Sequence, residues 1–557
     1  MLRNQKNISS TKKFEYPKSL FSGPKDSKIY LIFVAISLIL LFYAIMEIKP
    51  VVVNSTDFLG LTSHLTLAYW IGFLILIFGS ISLYLDKQYQ NTLIYIIFLL
   101  VIGLYLFGLP IFAEENAWFA WSYHPAGGVQ NILESKYIDT NSANLLSYNS
   151  WPATHLISAF IISIGNVSLG SLIKYMPLFW IIALIYFTYA AGKIFNFSPN
   201  QSFLLSFIIL TSFILFLYYY GPPSIAYLFF VMIFICLNDI CINRKNRLYI
   251  PLILLISALV VTHLLTSLVV IVVIFIMYLI ERRLRTLMLF SITVFFSWYY
   301  FFAPRIIKLI IDNFSKLITI GNPVEFAGTS TIFQISKMLS HTYLGIYIIL
   351  VILITLNMFY NKSLLNNKKS INCIVWLIGI GSFLLVKYGG EIDDRLYIYS
   401  IIPAATYIIL NISNRNKILI GIMVIFAFLH IPAHYDSESI NMIYTTELYG
   451  SKFFALRVEP GNEHPIFVNY VFGPLLDYYH PLPFYERGGI SAYVSGIYNP
   501  SNASLEESTY IIYSKQTNNF LLYVFGYDSI KLWLESDNTS KLIYTNGYYE
   551  IYKHLMW

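Results

Sequence analysis

Long apolar runs alternate with short polar breaks from residue 29 to residue 432, and each run is close to the roughly 20 residues that cross a bilayer as a helix. They predict spans near 29–47, 65–85, 92–113, 172–191, 201–219, 223–240, 287–303, 341–360, 371–388, 395–412 and 417–432. The run 248–280 is too long for one span. Arg244, Lys245 and Arg247 precede it, and Arg282, Arg283 and Arg285 follow it. Basic residues collect on the cytoplasmic side of a membrane, so both flanks belong there. The run must therefore go out and return as two short helices turning near Thr262-His263, which brings the count to 13 spans.

The same rule orders the rest. Lys12, Lys13, Lys18, Lys25 and Lys28 keep the tail 1–28 inside, as do Lys368-Lys369 and Arg415-Lys417 for their loops. The loops 114–171, 304–340 and 389–394 fall outside, together with everything after Pro432. The segment 152–165 is too short to span and is expected to lie in the interface. Loop 304–340, with Arg305, Lys308, Lys316 and Glu325 among apolar residues, has the look of an amphipathic interfacial segment.

After the membrane domain 29–432 the pattern changes. Residues 433–557 are polar and rich in Tyr, and runs such as Tyr510–Tyr513 and Leu521–Phe525 predict strands. Asn546-Gly547 between Leu542 and Tyr552 predicts a hairpin with a two-residue type I′ turn. The expected fold is an α-helical polytopic membrane protein with a small extracytoplasmic C-terminal domain, α/β or mainly β.

Composition agrees. Of 557 residues, 57% are hydrophobic and 12% charged, and the mean hydropathy is +0.64, which excludes an ordinary soluble domain. The net charge of +7 sits in short clusters between apolar runs, so it marks cytoplasmic loops and not a nucleic-acid surface. Cys236, Cys241 and Cys373 lie in or beside spans without metal-ligand spacing.

Against this apolar background the polar residues around the first large outer loop stand out, because ionisable groups held at a membrane are costly and usually functional. Glu114-Glu115 end a span. A carboxylate there can take the proton of a hydroxyl or amide acceptor, with Glu115, farther from the hydrocarbon, favoured as base and Glu114 the alternative. Trp121 and His124 follow, with rings suited to sugar faces and an imidazole suited to hydroxyl or phosphate. Trp151, Pro152 and His155 open the short helix. His263 at the hairpin turn faces the same side. In Gly389–Arg395, Arg395 can fork onto a lipid phosphate, while Glu391, Asp393 and Asp394 could hold a hard divalent ion such as Mg or Mn.

The order and sidedness of these features resemble the GT-C type glycosyltransferases, multi-span enzymes that include protein O-mannosyltransferases, aminoarabinose transferases and oligosaccharyltransferases. The resemblance rests on Glu114–Trp118, His124, the segment Trp151–Leu156, the His263 turn, Asp394–Tyr397 and the closing outer domain, and spans most of 92–557. It implies a polyprenyl-phosphate-linked sugar donor, inversion at the anomeric carbon, and a glycan, lipid or protein acceptor reached from outside. Glu115 would occupy the first-loop catalytic position, and Arg395 would contact the lipid phosphate. No Trp-Trp-Asp type acceptor motif is present after residue 433, which argues against a sequon-reading oligosaccharyltransferase. The rivals are a flippase or a polymerase of lipid-linked sugars. A transporter needs broken helices with polar groups at mid-bilayer depth, whereas the polar residues here cluster at outer ends.

Overall fold

A computed structural model describes residues 27–304, 331–457 and 510–554, apart from 55, 87–88, 139–148, 213–218, 361–366, 386–391, 413–415, 437, 526–527, 529–530, 532–533 and 535–539, together with 466–467, 475, 478 and 479. A helix stands at each predicted span. Among the described residues nine helices are long and apolar enough to cross a membrane. These are α1 (Ser27–Ile48), α2 (Leu67–Leu85), the continuous Thr92–Ala113, α7 (Leu169–Ile194), α9 (Pro222–Asn243), α12 (Arg285–Phe301), α13 (Thr331–Tyr360), α15 (Ile392–Ile412) and α16 (Asn416–Tyr435). The other predicted spans meet shorter helices: α8 (Pro199–Thr211), the hairpin pair α10 (Tyr249–Thr262) and α11 (Leu264–Ile280), and α14 (Lys368–Gly381). Between the third span and α7 lie α5 (Tyr123–Ser135) and α6 (Ala153–Gly165), each 13 residues long. Phe42, Phe78, Tyr186 and Phe359 point outward from the bundle, as lipid-facing side chains do.

Local sequence sets the ends. Thr66, Asn91, Ser168 and His263 cap their helices by accepting a backbone N–H two or three residues on. The third span is not uniform. Between α3 (Thr92–Gly103) and α4 (Leu109–Ala113) lies one π turn, Leu104–Gly108. Such a turn frees carbonyls from the helix ladder. Here Tyr105 O accepts from Tyr69 (3.2 Å) and Tyr435 (2.8 Å), and Leu106 O also accepts from Tyr435 (3.1 Å). The extra residue changes the phase of the span just before Glu114.

Contacts sort the helix ends onto two faces. On one, Lys245 pairs with Asp239 (3.0 Å), Arg283 donates to the carbonyls of Ile240 (2.7 Å) and Cys241 (3.0 Å), and Lys368 meets Glu281 (3.0 Å). On the other lie the first loop, the α10–α11 turn, the start of α15, the end of α16 and the C-terminal domain. Lys245 and Arg283, from the two basic flanks of 248–280, thus share one face, and the first loop and the α10–α11 turn lie on the opposite one.

Beyond α16, α17 (Glu438–Asn441) and α18 (Thr445–Arg457) lead to a four-stranded sheet in the order β1-β2-β4-β3. Its strands are β1 (Ile466–Phe467), β2 (Tyr510–Ser514), β3 (Ser540–Thr545) and β4 (Tyr549–His554), with β1 parallel to β2 and the other pairs antiparallel. Two expectations are corrected. Leu521–Phe525 is not a strand but the end of helix α19 (Lys515–Phe525). Ser514 and Thr517 bond reciprocally, each backbone N–H to the other's hydroxyl (3.3 and 3.2 Å), and this cap starts a helix that overrides the β propensity downstream. The 546–547 turn is not type I′: of the two residues only Gly547 has positive φ, and the connection is three residues long. The Asn546 side chain is engaged instead, accepting from Tyr549 N (3.0 Å) and donating to Thr446 O (2.9 Å).

Candidate functional site

Glu114 closes α4 and Glu115 follows in the loop, and the change from helix to extended backbone at Glu114 sends the two side chains to different places. Glu114 is buried at 3% exposure, and Glu438, at the start of α17, is fully buried. Trp118 Nε1 donates to Glu438 Oε2. Burial pushes Glu114 up to about 8 and Glu438 well above the usual carboxylate range. Glu115 is exposed, and its Oε2 accepts from the Thr445 hydroxyl. Lys174 Nζ, on α7, binds the backbone carbonyls of Glu114 (2.8 Å) and Glu115 (3.0 Å). Asn116 Nδ2 donates to Ile443 O (2.9 Å) and to Thr445 Oγ1 (3.1 Å), and Phe119 N donates to Asn441 O (3.1 Å). Phe119 has φ 68°, a conformation that costs a non-glycine residue on the order of 1–3 kcal/mol and is characteristic of functional loops.

The second centre is the hairpin turn. His263 ends α10 and caps α11, with Nδ1 2.9 Å from Thr266 Oγ1, which in turn bonds the Tyr399 hydroxyl. Its Nε2 lies 3.3 Å from Arg395 Nη1, so two predicted residues 132 positions apart meet. The Trp151 ring sits 5.9 Å from the His263 ring, and Trp151 Nε1 donates to the Tyr299 hydroxyl (2.9 Å). Trp151 belongs to the loop that begins at Glu115, so this contact puts the hairpin turn on the face of the acidic pair.

The Trp121 ring meets His124 edge-on at 5.8 Å, with Trp121 half-buried and His124 buried. His155 packs its ring against Gly128 of α5, where a Cβ would stand 2.9 Å from it. Burial and the nearby His124 push His155 down to about 3, and neither ring nitrogen has a partner among the described residues. His155 is therefore a neutral packing ring joining α5 and α6. The proposed metal ligands lie outside the described residues: Glu391 entirely, and Asp393 and Asp394 by their side chains. Among the described residues no group of three metal-ligating side chains occurs.

Four participants escaped the sequence reading: Glu438, Thr445, Lys174 and Tyr399. Only Lys174, a cation near the start of an apolar helix, carries a signal that could have flagged it.

No protein-family model matches the chain, and no curated protein matches it. Among solved structures the chain is similar to the oligosaccharyltransferase of Archaeoglobus fulgidus crystallised with a tethered acceptor peptide containing the NVT sequon. The TM-score is 0.50 at 11% identity, covering 86% of this chain and 75% of that one. The apo form of that protein aligns with a TM-score of 0.49 at 10% identity, covering 85% and 75%. At such identity the likeness concerns the fold alone. Together with the apolar helices and the closing sheet, it makes this chain an integral membrane protein with a GT-C-like fold.

Proposed function

We propose that the chain is a glycosyltransferase that moves a sugar from a polyprenyl-phosphate-linked donor to a glycan, lipid or protein acceptor on the outer face of the membrane. The observation that supports this reading most is the Arg395–His263 pair, on the same face as the exposed Glu115. The clustering of Arg244, Lys245, Arg283 and Lys368 at the opposite face assigns that face to the cytoplasm by the positive-inside rule. The N-terminus is then inside and the C-terminal domain outside.

The chemistry follows from these groups. The acceptor oxygen attacks the anomeric carbon from the side opposite the phosphate, a C–O bond forms, and the bond to the phosphate oxygen breaks with inversion. Glu115 takes the acceptor proton as the bond forms. Arg395, its outer guanidinium edge aimed by His263, stabilises the negative charge that grows on the leaving phosphate. Trp121 and His124 contact the sugar. This reading differs from a flippase, which binds the same donor but needs no base.

The test is mass spectrometry of glycans and lipid-linked sugars in cells lacking the gene, rescued with wild type or Glu115→Gln. Loss of one sugar from the glycans, with its polyprenyl-phosphate donor accumulating and no rescue by Glu115→Gln, is the expected result. Full rescue by Glu115→Gln refutes the assignment of the base and moves the test to Glu114→Gln. Unchanged glycans in the deletion refute the transferase reading.

A further inference from the structure

A cavity of about 710 Å3 lies where the segment after α1, through Asn54, meets the C-terminal domain. None of the residues given to the reaction lines it. The volume is that of a small-molecule site and has room for more than one sugar ring. Most of its charged groups are already matched. Lys531 Nζ pairs with Glu550 Oε2 (3.1 Å), which also accepts from the Tyr552 hydroxyl (2.7 Å). Asp528 accepts from the Tyr513 hydroxyl and, through Oδ1, from Lys531 N (2.9 Å). Lys515, half-buried at the start of α19, is the exception. Its ammonium stands over the rings of Tyr444 (5.0 Å to the centroid) and Tyr548 (5.3 Å). Asp57 and Glu447 are near enough to favour its charge, yet among the described residues no oxygen accepts from its Nζ and no carboxylate pairs with it. Two rings hold the ammonium in place by cation–π attraction, but its N–H donors still call for oxygens. Tyr548 is 59% exposed, and Asn54 is exposed as well.

We propose that this cavity binds a saccharide carrying a carboxylate: Lys515 takes the carboxylate, the exposed part of the Tyr548 ring packs against a sugar face, and the Asn54 amide meets a ring hydroxyl. A bare anion would leave the Tyr548 ring and most of the volume unused. A neutral sugar would give the ammonium only hydroxyls, which are weaker acceptors than a carboxylate. Lys515 covers Tyr444, whose neighbour Thr445 holds Glu115, so the cavity borders the segment that steadies the proposed base. That the saccharide belongs to the acceptor glycan rests on the proposed transferase reading; the binding itself does not.

The experiment titrates the full chain in detergent, at fixed salt, by calorimetry with three probes: a glucuronate-terminated disaccharide, the same disaccharide with glucose in place of glucuronate, and inorganic phosphate. The variants are Lys515→Met, Lys515→Arg, Tyr548→Ala and, as a control, Lys541→Met, which removes an exposed lysine of β3 outside the cavity. Wild type is expected to bind the acidic disaccharide about tenfold more tightly than the neutral one, the scale of one charge-assisted hydrogen bond. Lys515→Met is expected to erase that preference and Lys515→Arg to keep most of it. Tyr548→Ala is expected to weaken both disaccharides alike, and Lys541→Met to leave the preference as it is. Equal affinity of wild type for the two disaccharides, or no binding of either, overturns the inference however the variants fold. So does phosphate that binds as tightly as the acidic disaccharide, or a preference that survives in a Lys515→Met protein with the wild-type thermal midpoint. In a transfer assay with a glucuronate-ended acceptor, Lys515→Met is expected to raise the acceptor KM about tenfold. If the Lys515-dependent preference is found while cells lacking the gene keep their glycans unchanged, the transferase reading fails and the site stands. If the transferase reading holds and the two disaccharides bind alike, the site alone fails.

Discussion

Glu447 offers the sharpest quantitative check on how the C-terminal domain is attached. It is the third residue of α18, fully buried, and reaches back to the backbone of Tyr444 through Oε2 (3.1 Å). Its Oε1 accepts from Ser514 Oγ (2.8 Å) and Gln516 N (3.0 Å), at the junction of β2 and α19. One side chain therefore locks the start of α18 to the sheet. That start carries Thr445, which holds Glu115. Glu447→Ala removes the acceptor of three donors, at about 1–3 kcal/mol for each one left unpaired. Allowing for relaxation and water entry, a loss of about 3–5 kcal/mol follows. The loss also depends on pH. Burial raises the carboxyl to about 7 in spite of its three donors. A group whose folded pKa lies above its unfolded value stabilises fully at pH below the unfolded pKa, near 4.5 here, and loses that contribution as pH rises to about 7. The shift corresponds to about 3 kcal/mol. The difference in thermal midpoint between wild type and Glu447→Ala should thus be largest near pH 4.5 and shrink toward pH 7, while limited trypsin releases the segment after Arg457 sooner in the variant. Taking the difference cancels the contribution of Glu114 and Glu438. A gap under about one degree, or one that is flat across that range, refutes the reasoning.

Arg395→Lys keeps the charge but cannot bond His263 and fork onto a phosphate at once; donor KM is expected to rise about tenfold, equivalent to about 1.4 kcal/mol, in a transfer assay with varied donor. Gly450→Ala drives a Cβ to 2.2 Å from the Tyr549 ring, so the contact between α18 and β4 must open at about 1–3 kcal/mol, read as a lower thermal midpoint. His155→Phe removes two buried, unpartnered nitrogens and keeps a ring against Gly128, so its thermal midpoint should equal or exceed that of wild type.

The bilayer is why so much of the architecture was legible. Lipid forces every span to satisfy its own backbone bonds, so apolar length alone locates helices, and the basic flanks of 248–280 were enough to place a turn at His263. Sidedness then carried the candidates further than their individual motifs: with Arg395 and His263 both at outer helix ends, a meeting was allowed, and the structure makes it at 3.3 Å. What stayed hidden depends on phase and long-range docking. The π turn at 104–108 rotates Glu114 inward, and nothing in Leu-Tyr-Leu-Phe-Gly announces it. Glu438 reads as one acid in a polar tail, because its partner Trp118 lies on the far side of the fold in sequence. Where the C-terminal domain is concerned, the error was local. The β-rich letters of 521–525 outweighed a Ser-x-x-Thr start signal that the backbone obeyed. The same division explains the site itself. Residues facing an aqueous boundary declare themselves by being polar where polarity is costly. Residues that hold them declare themselves only through a contact, and Glu438, Thr445 and Tyr399 all belong to that second class.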